Sequence, residues 1–159
     1  MQKKPTFDLF STYMAMIEGS VGSNTYRKLY YHIDGKSMDV LFDGDLACAV
    51  FVTFILYPFG LIKEWHTTVN ETIRDIEESG WYKIPEPRPG ALILWGFKKK
   101  DDGTQGKHRH VGFYIDSTRV VSNDSDTRVP QSHHPTYGTF PDGEVRRDIQ
   151  AFYWNDLLN

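Results

Sequence analysis

The sequence is poor in cysteine, with Cys48 as the single one among 159 residues. One cysteine excludes an internal disulfide, and it excludes any zinc site that needs several thiolates. The chain also has no excess of positive charge, because 18 basic and 21 acidic residues give a formal net charge of -3. A nucleic-acid-binding domain ordinarily carries a broad basic surface, so this composition argues against a nucleic-acid partner.

Long hydrophobic runs are missing as well. The longest apolar stretch covers residues 47–57 and stops at Pro58. This is far shorter than the roughly 20 residues that a membrane-spanning helix needs. Two lysines follow the N-terminal Met-Gln, but Asp8 and Glu18 interrupt the segment that would form a signal peptide. We expect no membrane span and no cleaved signal peptide. The protein is therefore expected to be made in the cytoplasm, and export by another route is left open.

What remains is the composition of an ordinary globular domain. Hydrophobic residues make up 40% of the chain and charged residues 25%. A length of 159 residues is enough for one domain with its own core. No internal repeat and no linker divides the chain, so we predict a single domain over residues 1–159.

Helical patterns dominate the N-terminal half. Apolar residues at helical spacing predict a helix over residues 7–19. The buried run after Asp45 is predicted as a second helix, because Asp is a good N-cap and Pro58 ends the run. Its β-branched residues leave a strand as the alternative. Thr68 and Glu71 form a capping box, which predicts the start of a third helix.

Strand patterns dominate the C-terminal half. Short apolar segments bounded by turn residues predict strands over residues 91–95, 111–115, 119–123 and 149–154. The charged, glycine-containing segment 98–107 is predicted as an exposed hairpin loop. Helices followed by a meander of antiparallel strands indicate the α+β class.

One cysteine and one histidine stand where chemistry is favoured. Cys48 lies near the start of the predicted second helix, where backbone N–H groups and the helix dipole favour a thiolate with a pKa well below about 8.5. His110 opens a predicted strand, so its imidazole can point into a cleft. A cysteine and a histidine are the minimum for an activated nucleophile. Ser122, Asn123 and Asp124 follow the next strand, and any of them could fix the imidazole tautomer.

Three segments together resemble the NlpC-type cysteine peptidases. They are residues 45–52 around Cys48, Pro89-Gly90 leading into the strand at 91–95, and His110-Val111-Gly112 at the start of the next strand. In that family a cysteine opens a helix and a His-Val-Gly strand carries the base; the CHAP amidases share this layout. The resemblance implies a papain-like fold in which the nucleophile-bearing helix packs on an antiparallel β-sheet. It also implies hydrolysis of amide bonds, commonly in the peptides of peptidoglycan.

The sequence departs from the family at two places. Ala47-Cys48-Ala49 stands where the family usually has Asp-Cys-Ser-Gly, and Ser122 or Asn123 stands where the third catalytic residue is often histidine. Asparagine serves in related cysteine enzymes, so the resemblance favours Asn123. The implied catalytic residues are therefore Cys48, His110 and Asn123, acting through a thioester on a peptide or muropeptide, with no cofactor and no metal.

Other functions remain open from the sequence. His108, His110, His133 and His134 form two close pairs, and His-x-His along a strand has the geometry of metal ligands. Neither pair comes with a nearby acid in a recognised zinc signature. The same cysteine and histidine would serve an acyltransferase or an amidase that acts outside the cell wall. A non-catalytic binding module could keep the fold, and the oligomeric state is unknown.

Overall fold

A computed structural model of the protein describes residues 4–159. Within them lie three α-helices: α1 (Leu9–Gly19), α2 (Cys48–Leu56) and α3 (Val69–Glu78). A hairpin pairs β1 (Tyr30–Ile33) with β2 (Lys36–Asp39). The remaining strands are β3 (Tyr82–Ile84), β4 (Leu92–Trp95), β5 (His110–Asp116), β6 (Arg119–Asp124), β7 (Val129–His133) and β8 (Ile149–Trp154).

The strands that follow the helices form one antiparallel sheet in the order β3-β8-β4-β5-β6-β7. The α+β class with an antiparallel sheet is therefore confirmed. The predicted simple meander is wrong in one respect, because β8 inserts between β3 and β4 and pairs with both. No helix within residues 4–159 has the length and apolar character that crossing a membrane demands.

Local capping accounts for the starts of the first and third helices. The predicted helix over 7–19 begins at Leu9, and the Asp8 carboxylate accepts a hydrogen bond from the backbone N–H of Ser11 at 2.9 Å. The Thr68 hydroxyl accepts the backbone N–H of Glu71 at 3.3 Å and donates to the Glu71 carboxylate at 2.8 Å. These bonds satisfy N–H groups that a helix leaves free at its start.

The second helix begins differently from the prediction. It is present as α2, but Asp45 does not cap it; Ala47 occupies the N-cap position and offers no side-chain hydrogen bond. Seven of its nine residues are buried, so packing rather than capping holds the helix in place. Consequently no side chain caps the first-turn N–H groups of α2, and Cys48 lies among them.

The loop before α2 is held in an unusual backbone conformation. Phe42, Asp43 and Gly44 have successive positive φ angles of 50°, 58° and 94°. Left-handed conformations at non-glycine residues cost about 1–3 kcal/mol each and persist only where the surroundings enforce them. Here the Asp39 carboxylate accepts the backbone N–H of Asp43 at 2.7 Å, and the Asp43 carboxylate pairs with Arg27 at 2.8 Å. Asp43 is thereby committed to the loop and not to the helix.

The sheet is buried on both faces. One face packs against the helices, where the rings of Phe113 and Phe51 meet edge to face with centroids 5.5 Å apart. The other face carries Trp95, whose ring contacts Tyr137 from the long loop before β8. Because successive side chains of a strand point to opposite faces, His110 shares the face of Trp95, and the two rings lie 5.4 Å apart.

Three parts of the strand structure were not predicted: the separate hairpin of β1 and β2, strand β3 and strand β7. The hairpin of β1 and β2 is largely exposed, and its mixed pattern gave no assignment. Strand β7 contains Pro130 and polar residues, which are poor strand formers, yet it pairs with β6 as an edge strand that tolerates proline. This pairing sets His133 opposite Val120 and thus beside the His110 face of the sheet.

The close approach of β5 to β6 depends on Gly112. A Cβ atom at this position would lie 2.7 Å from Ser122 Cβ and from the carbonyl oxygen of Val121, and 3.2 Å from the ring of Trp95. Real Cβ contacts are not that short, so any side chain here must push the two strands apart.

We therefore expect Gly112→Ala to lower the free energy of unfolding by about 1–3 kcal/mol, the usual cost of overpacking a core. The matched control is Gly19→Ala, because a Cβ at Gly19 meets nothing within 4 Å and its φ is ordinary. Urea unfolding of both variants measures the difference. Equal stability of the two variants would contradict the steric argument.

Candidate active site

Cys48 lies where the start of α2 meets the start of β5. Its sulfur is close to the backbone N–H groups of Ala49 and Val111 and to its own N–H, all of which favour the thiolate. The residue as a whole is partly exposed although its sulfur is largely removed from water, and it lines a cleft of about 670 Å³. A helix N-terminus without a side-chain cap thus places a thiol and backbone N–H donors beside the cleft.

The cleft is built from several parts of the chain. Its walls are the start of α2, the start of α3 and the turn before it, the two ends of the loop between β4 and β5, the end of β6, and the side chains of Tyr137 and Arg147. Cys48, His110 and Asn123 all contribute to this wall. The fold therefore brings the three predicted site residues to one cavity.

His110 forms its contacts on the face of the sheet that carries Trp95. The residue is only 9% exposed, and its Nε2 lies 2.9 Å from the Oγ of Ser122. The same Oγ lies 2.6 Å from Nε2 of His133 and 3.1 Å from the hydroxyl of Tyr137. One fully buried serine hydroxyl thus joins two imidazoles and a phenol.

The proton positions in this network can be derived from the contact between His133 and the backbone carbonyl of His134. His133 Nδ1–H donates to the backbone carbonyl oxygen of His134 at 3.0 Å, because a carbonyl can only accept. Burial lowers the pKa of His133, so its ring is neutral and its Nε2 must be an acceptor. The single hydroxyl proton of Ser122 therefore goes to His133, and the oxygen of Ser122 is left to accept.

The tautomer of His110 is then determined. Because Ser122 has already donated its proton to His133, the contact with His110 requires a proton on Nε2 of His110. Burial raises the pKa of Tyr137 to about 12, so its phenol stays protonated and also donates to Ser122. A neutral imidazole that carries its proton on Nε2 has a free lone pair on Nδ1, and Nδ1 makes no hydrogen bond to any described side chain.

The two titrating groups of the site are both neutral at rest. Burial lowers the pKa of His110 well below its ordinary value of 6.5, and the charge of Arg147 lowers it further. Burial raises the pKa of the Cys48 thiol, although the charge of Arg147 and nearby N–H groups oppose this shift. The expectation of a thiolate with a lowered pKa is therefore wrong. The dipole and N–H groups of α2 do not outweigh the loss of water around the sulfur.

The contact expected between Asn123 and His110 is also corrected. Asn123 Nδ2 donates to the backbone carbonyl oxygen of Gly44 at 2.8 Å, and its Oδ1 is buried without a partner among the described atoms. Ser122 and Asn123 are neighbours on one strand, so their side chains point to opposite faces. Ser122 shares the face of His110, and Asn123 instead holds the strained loop before α2.

The four histidines of the alternative metal site do not come together at one point in the structure. His110 and His133 both contact Ser122, and His134 Nδ1 contacts the Thr136 hydroxyl at 2.8 Å. His108 is exposed. Across residues 4–159, no three His, Cys, Asp or Glu side chains converge as a metal ion requires.

Three residues of the site were missed by sequence reasoning. From the sequence His133 is a candidate metal ligand, and its contact with Ser122 depends on a strand, β7, that the sequence does not predict. Tyr137 lies in an irregular loop at a left-handed φ of 59°, with no pattern to mark it. Arg147 is one of many charged residues in its segment, and nothing in the sequence shows that it is buried.

Comparison of the chain with family models and with curated proteins gave no match in either case. The functional assignment is therefore argued from the residues and their geometry.

The hydroxyl network makes a prediction about the proton of His110. Long-range ¹H–¹⁵N spectra should show His110 as the Nε2–H tautomer, with Nδ1 unprotonated. Ser122→Ala removes the acceptor and should give a mixture of tautomers, while Asn123→Ala should leave the spectrum of His110 unchanged. A proton on Nδ1 in the unaltered protein would contradict the derivation.

The lowered pKa of His110 makes a prediction about stability. Between about pH 7.5 and pH 5.5 the unfolded chain binds protons at His110, whereas the folded chain does not, so the unfolding free energy falls as the pH falls. In His110→Gln this fall should be smaller, with the remainder due in part to His133. Urea unfolding at both pH values provides the comparison. An identical pH dependence in the two proteins would show that His110 is not buried as a neutral ring.

Proposed function

We propose that the protein is a cysteine hydrolase of the papain-like, NlpC type that cleaves amide bonds. Cys48 is the nucleophile, His110 is the general base, and Ser122 is the residue that orients His110. The observation that carries the proposal is the placement of His110: its Nε2 contacts Ser122, its Nδ1 makes no hydrogen bond to a described side chain, and the residue lines the cleft that also holds the thiol.

The neutral thiol and the neutral imidazole suit general-base catalysis. As Sγ of Cys48 attacks the amide carbonyl carbon, Nδ1 of His110 takes the thiol proton, so no free thiolate is needed beforehand. The uncapped N–H groups at the start of α2 are donors for the oxyanion that forms. Collapse breaks the C–N bond, and His110 returns the proton to the leaving amine. A thioester remains on Cys48.

The second half of the reaction reverses these roles. His110 takes a proton from a water molecule, whose oxygen attacks the thioester carbonyl carbon. The C–S bond breaks, the acid product forms, and His110 gives the proton back to the sulfur. Ser122 and His133 stabilise the imidazolium in both halves, because a Ser122 oxygen that accepts from Nε2–H favours the charged ring.

The arrangement around the site also supports the NlpC type. The cysteine opens a buried helix that packs on an antiparallel sheet, and the histidine opens β5, the fourth helix or strand after α2. Ser122 stands at the position where the family's third catalytic residue is often a histidine, and it contacts the base as such a residue would. The cleft volume of about 670 Å³ lies within the range of small-ligand sites, which fits a short peptide.

The substrate that the resemblance favours is a peptide of peptidoglycan. The test incubates the protein, Cys48→Ala and His110→Ala with purified peptidoglycan and with soluble muropeptides, followed by mass analysis of the products. We expect new amine and carboxyl ends with the unaltered protein and a loss of at least about a thousandfold in both variants. His134→Ala is the matched histidine control, since His134 contacts Thr136 outside the cleft wall and should retain activity.

Two outcomes would change the proposal. Turnover of a generic peptide or thioester, without cleavage of either cell-wall substrate, would support the proposed hydrolase activity and contradict the proposed peptidoglycan substrate. Transfer of the acyl group to an added amine in place of water would identify an acyltransferase on the same scaffold.

A further inference from the structure

Arg147 is a buried cation on the wall of the cleft. The residue is only 8% exposed, and within residues 4–159 it forms no ion pair with a carboxylate. Buried charges in proteins are ordinarily paired, because removing a guanidinium from water costs several kcal/mol. A buried arginine beside a cleft without a counter-ion therefore calls for an explanation.

The side chain is held rigidly by groups that do not neutralise it. Its Nε–H donates to the carbonyl oxygen of Gly96 at 2.9 Å, and its Nη2–H donates to the carbonyl oxygen of His108 at 2.9 Å. The guanidinium carbon lies 5.5 Å from the centroid of the Tyr137 ring. The remaining polar neighbour of the guanidinium is the neutral Tyr137 side chain, and Arg147 lines the cleft.

The charges around Arg147 reinforce this cation. The Lys, Arg, Asp and Glu residues that line the cleft are four basic and two acidic ones: Lys98, Lys107, Arg109, Arg147, Asp45 and Asp124. The cleft is therefore net positive, although the whole chain has a net charge of -3. A positive cleft in an acidic protein favours an anionic ligand there and repels it elsewhere.

We propose that Arg147 is a binding residue for a carboxylate of the substrate, next to the scissile amide. A preoriented guanidinium on the cleft wall, without a carboxylate partner in the described residues, offers charge-assisted hydrogen bonds to such a group. The identity of the substrate rests on the proposed function, but the anion site itself does not require hydrolysis.

A pair of alkylating reagents tests the anion site directly. Iodoacetate and iodoacetamide deliver the same methylene carbon to a thiolate and differ in carrying a carboxylate or a neutral amide. In both reactions the sulfur forms a bond to that carbon, the C–I bond breaks, iodide leaves, and the thiol proton passes to His110 or to solvent. The ratio of the two rates cancels the thiolate fraction. Cys48 is the single cysteine, so the ratio reports one site.

The reference for this ratio is the same chain unfolded in urea. We expect the ratio of iodoacetate to iodoacetamide rates in the folded protein to exceed that reference by roughly tenfold or more, the size of one charge-assisted hydrogen bond. Arg147→Met should bring the ratio down to the reference, and Arg147→Lys should retain part of the gain. Equal ratios in the folded and unfolded protein would overturn the proposal, and this comparison needs no variant that might misfold.

Two charge controls separate Arg147 from the general field of the cleft. Arg146→Gln removes the same charge at the next residue, whose side chain pairs with Asp101 and lies over the Phe140 ring outside the cleft wall. The Arg146→Gln variant should keep the ratio of iodoacetate to iodoacetamide rates that the folded unaltered protein shows. Arg109→Gln removes a charge from the wall itself, and an equal loss in that variant would assign the effect to the field and overturn the role of Arg147.

A separate measurement tests whether Arg147 binds a carboxylate of the substrate. Two peptides that differ only in a free or an amidated carboxylate beside the scissile bond should differ at least about tenfold in kcat/KM, through KM, and Arg147→Met should abolish the preference. Equal cleavage of both peptides would overturn this part. If neither peptide is cleaved while the alkylation ratio persists, the proposed hydrolysis fails and the anion site stands.

Discussion

The hydroxyl group of Ser122 is the point on which the site depends. It has one proton to give and is surrounded by three partners, so the direction of each bond is fixed by the others. The backbone carbonyl at His134 decides the state of His133, and that in turn decides the state of His110. The proton of His110, the proposed base, is therefore placed by the carbonyl oxygen of His134 through His133 and the buried hydroxyl of Ser122.

Cys48, the proposed nucleophile, is positioned by a separate set of constraints on the other face of the sheet. Asp39 and Asp43 hold the left-handed loop before α2, and Asn123 fixes the carbonyl oxygen of Gly44. A Cβ at Gly44 would lie 2.4 Å from the backbone oxygen of Arg128, so the loop also depends on a glycine. Thiol and imidazole are thus oriented independently, and the strand β6 serves both, with Ser122 on one face and Asn123 on the other.

The elements that could be predicted from the sequence are those with strong local signals. The capping box of α3, the buried run of α2 and the apolar strands β4 and β5 each follow from a pattern of a few residues. The site needs non-local information. Choosing between Ser122 and Asn123 requires the register of β6 against β5, because a shift of one residue exchanges the two faces.

Burial explains the remaining differences. The helix dipole suggested a lowered thiol pKa, but the sign of that shift depends on how much water the surrounding chain removes. Similarly, Arg147 and Tyr137 resemble surface residues in the sequence, and they enter the site because the long loop before β8 folds over Trp95. Neither the path of that loop nor the strand at its start is marked by a local pattern.

The position of β8 in the sheet has a consequence for how the chain folds. Strand β3 has β8 as its strand partner, and Tyr82 pairs with Trp154, a residue synthesised long after it. Until β8 emerges from the ribosome, β3 has no partner and β4 presents an open edge that would template aggregation. Closing such a distant pair is slow, because the entropy of the intervening loop must be lost first. A nascent chain that stops before β8 therefore contains Cys48 and His110 but not the complete six-stranded sheet, and we expect it to depend on chaperones.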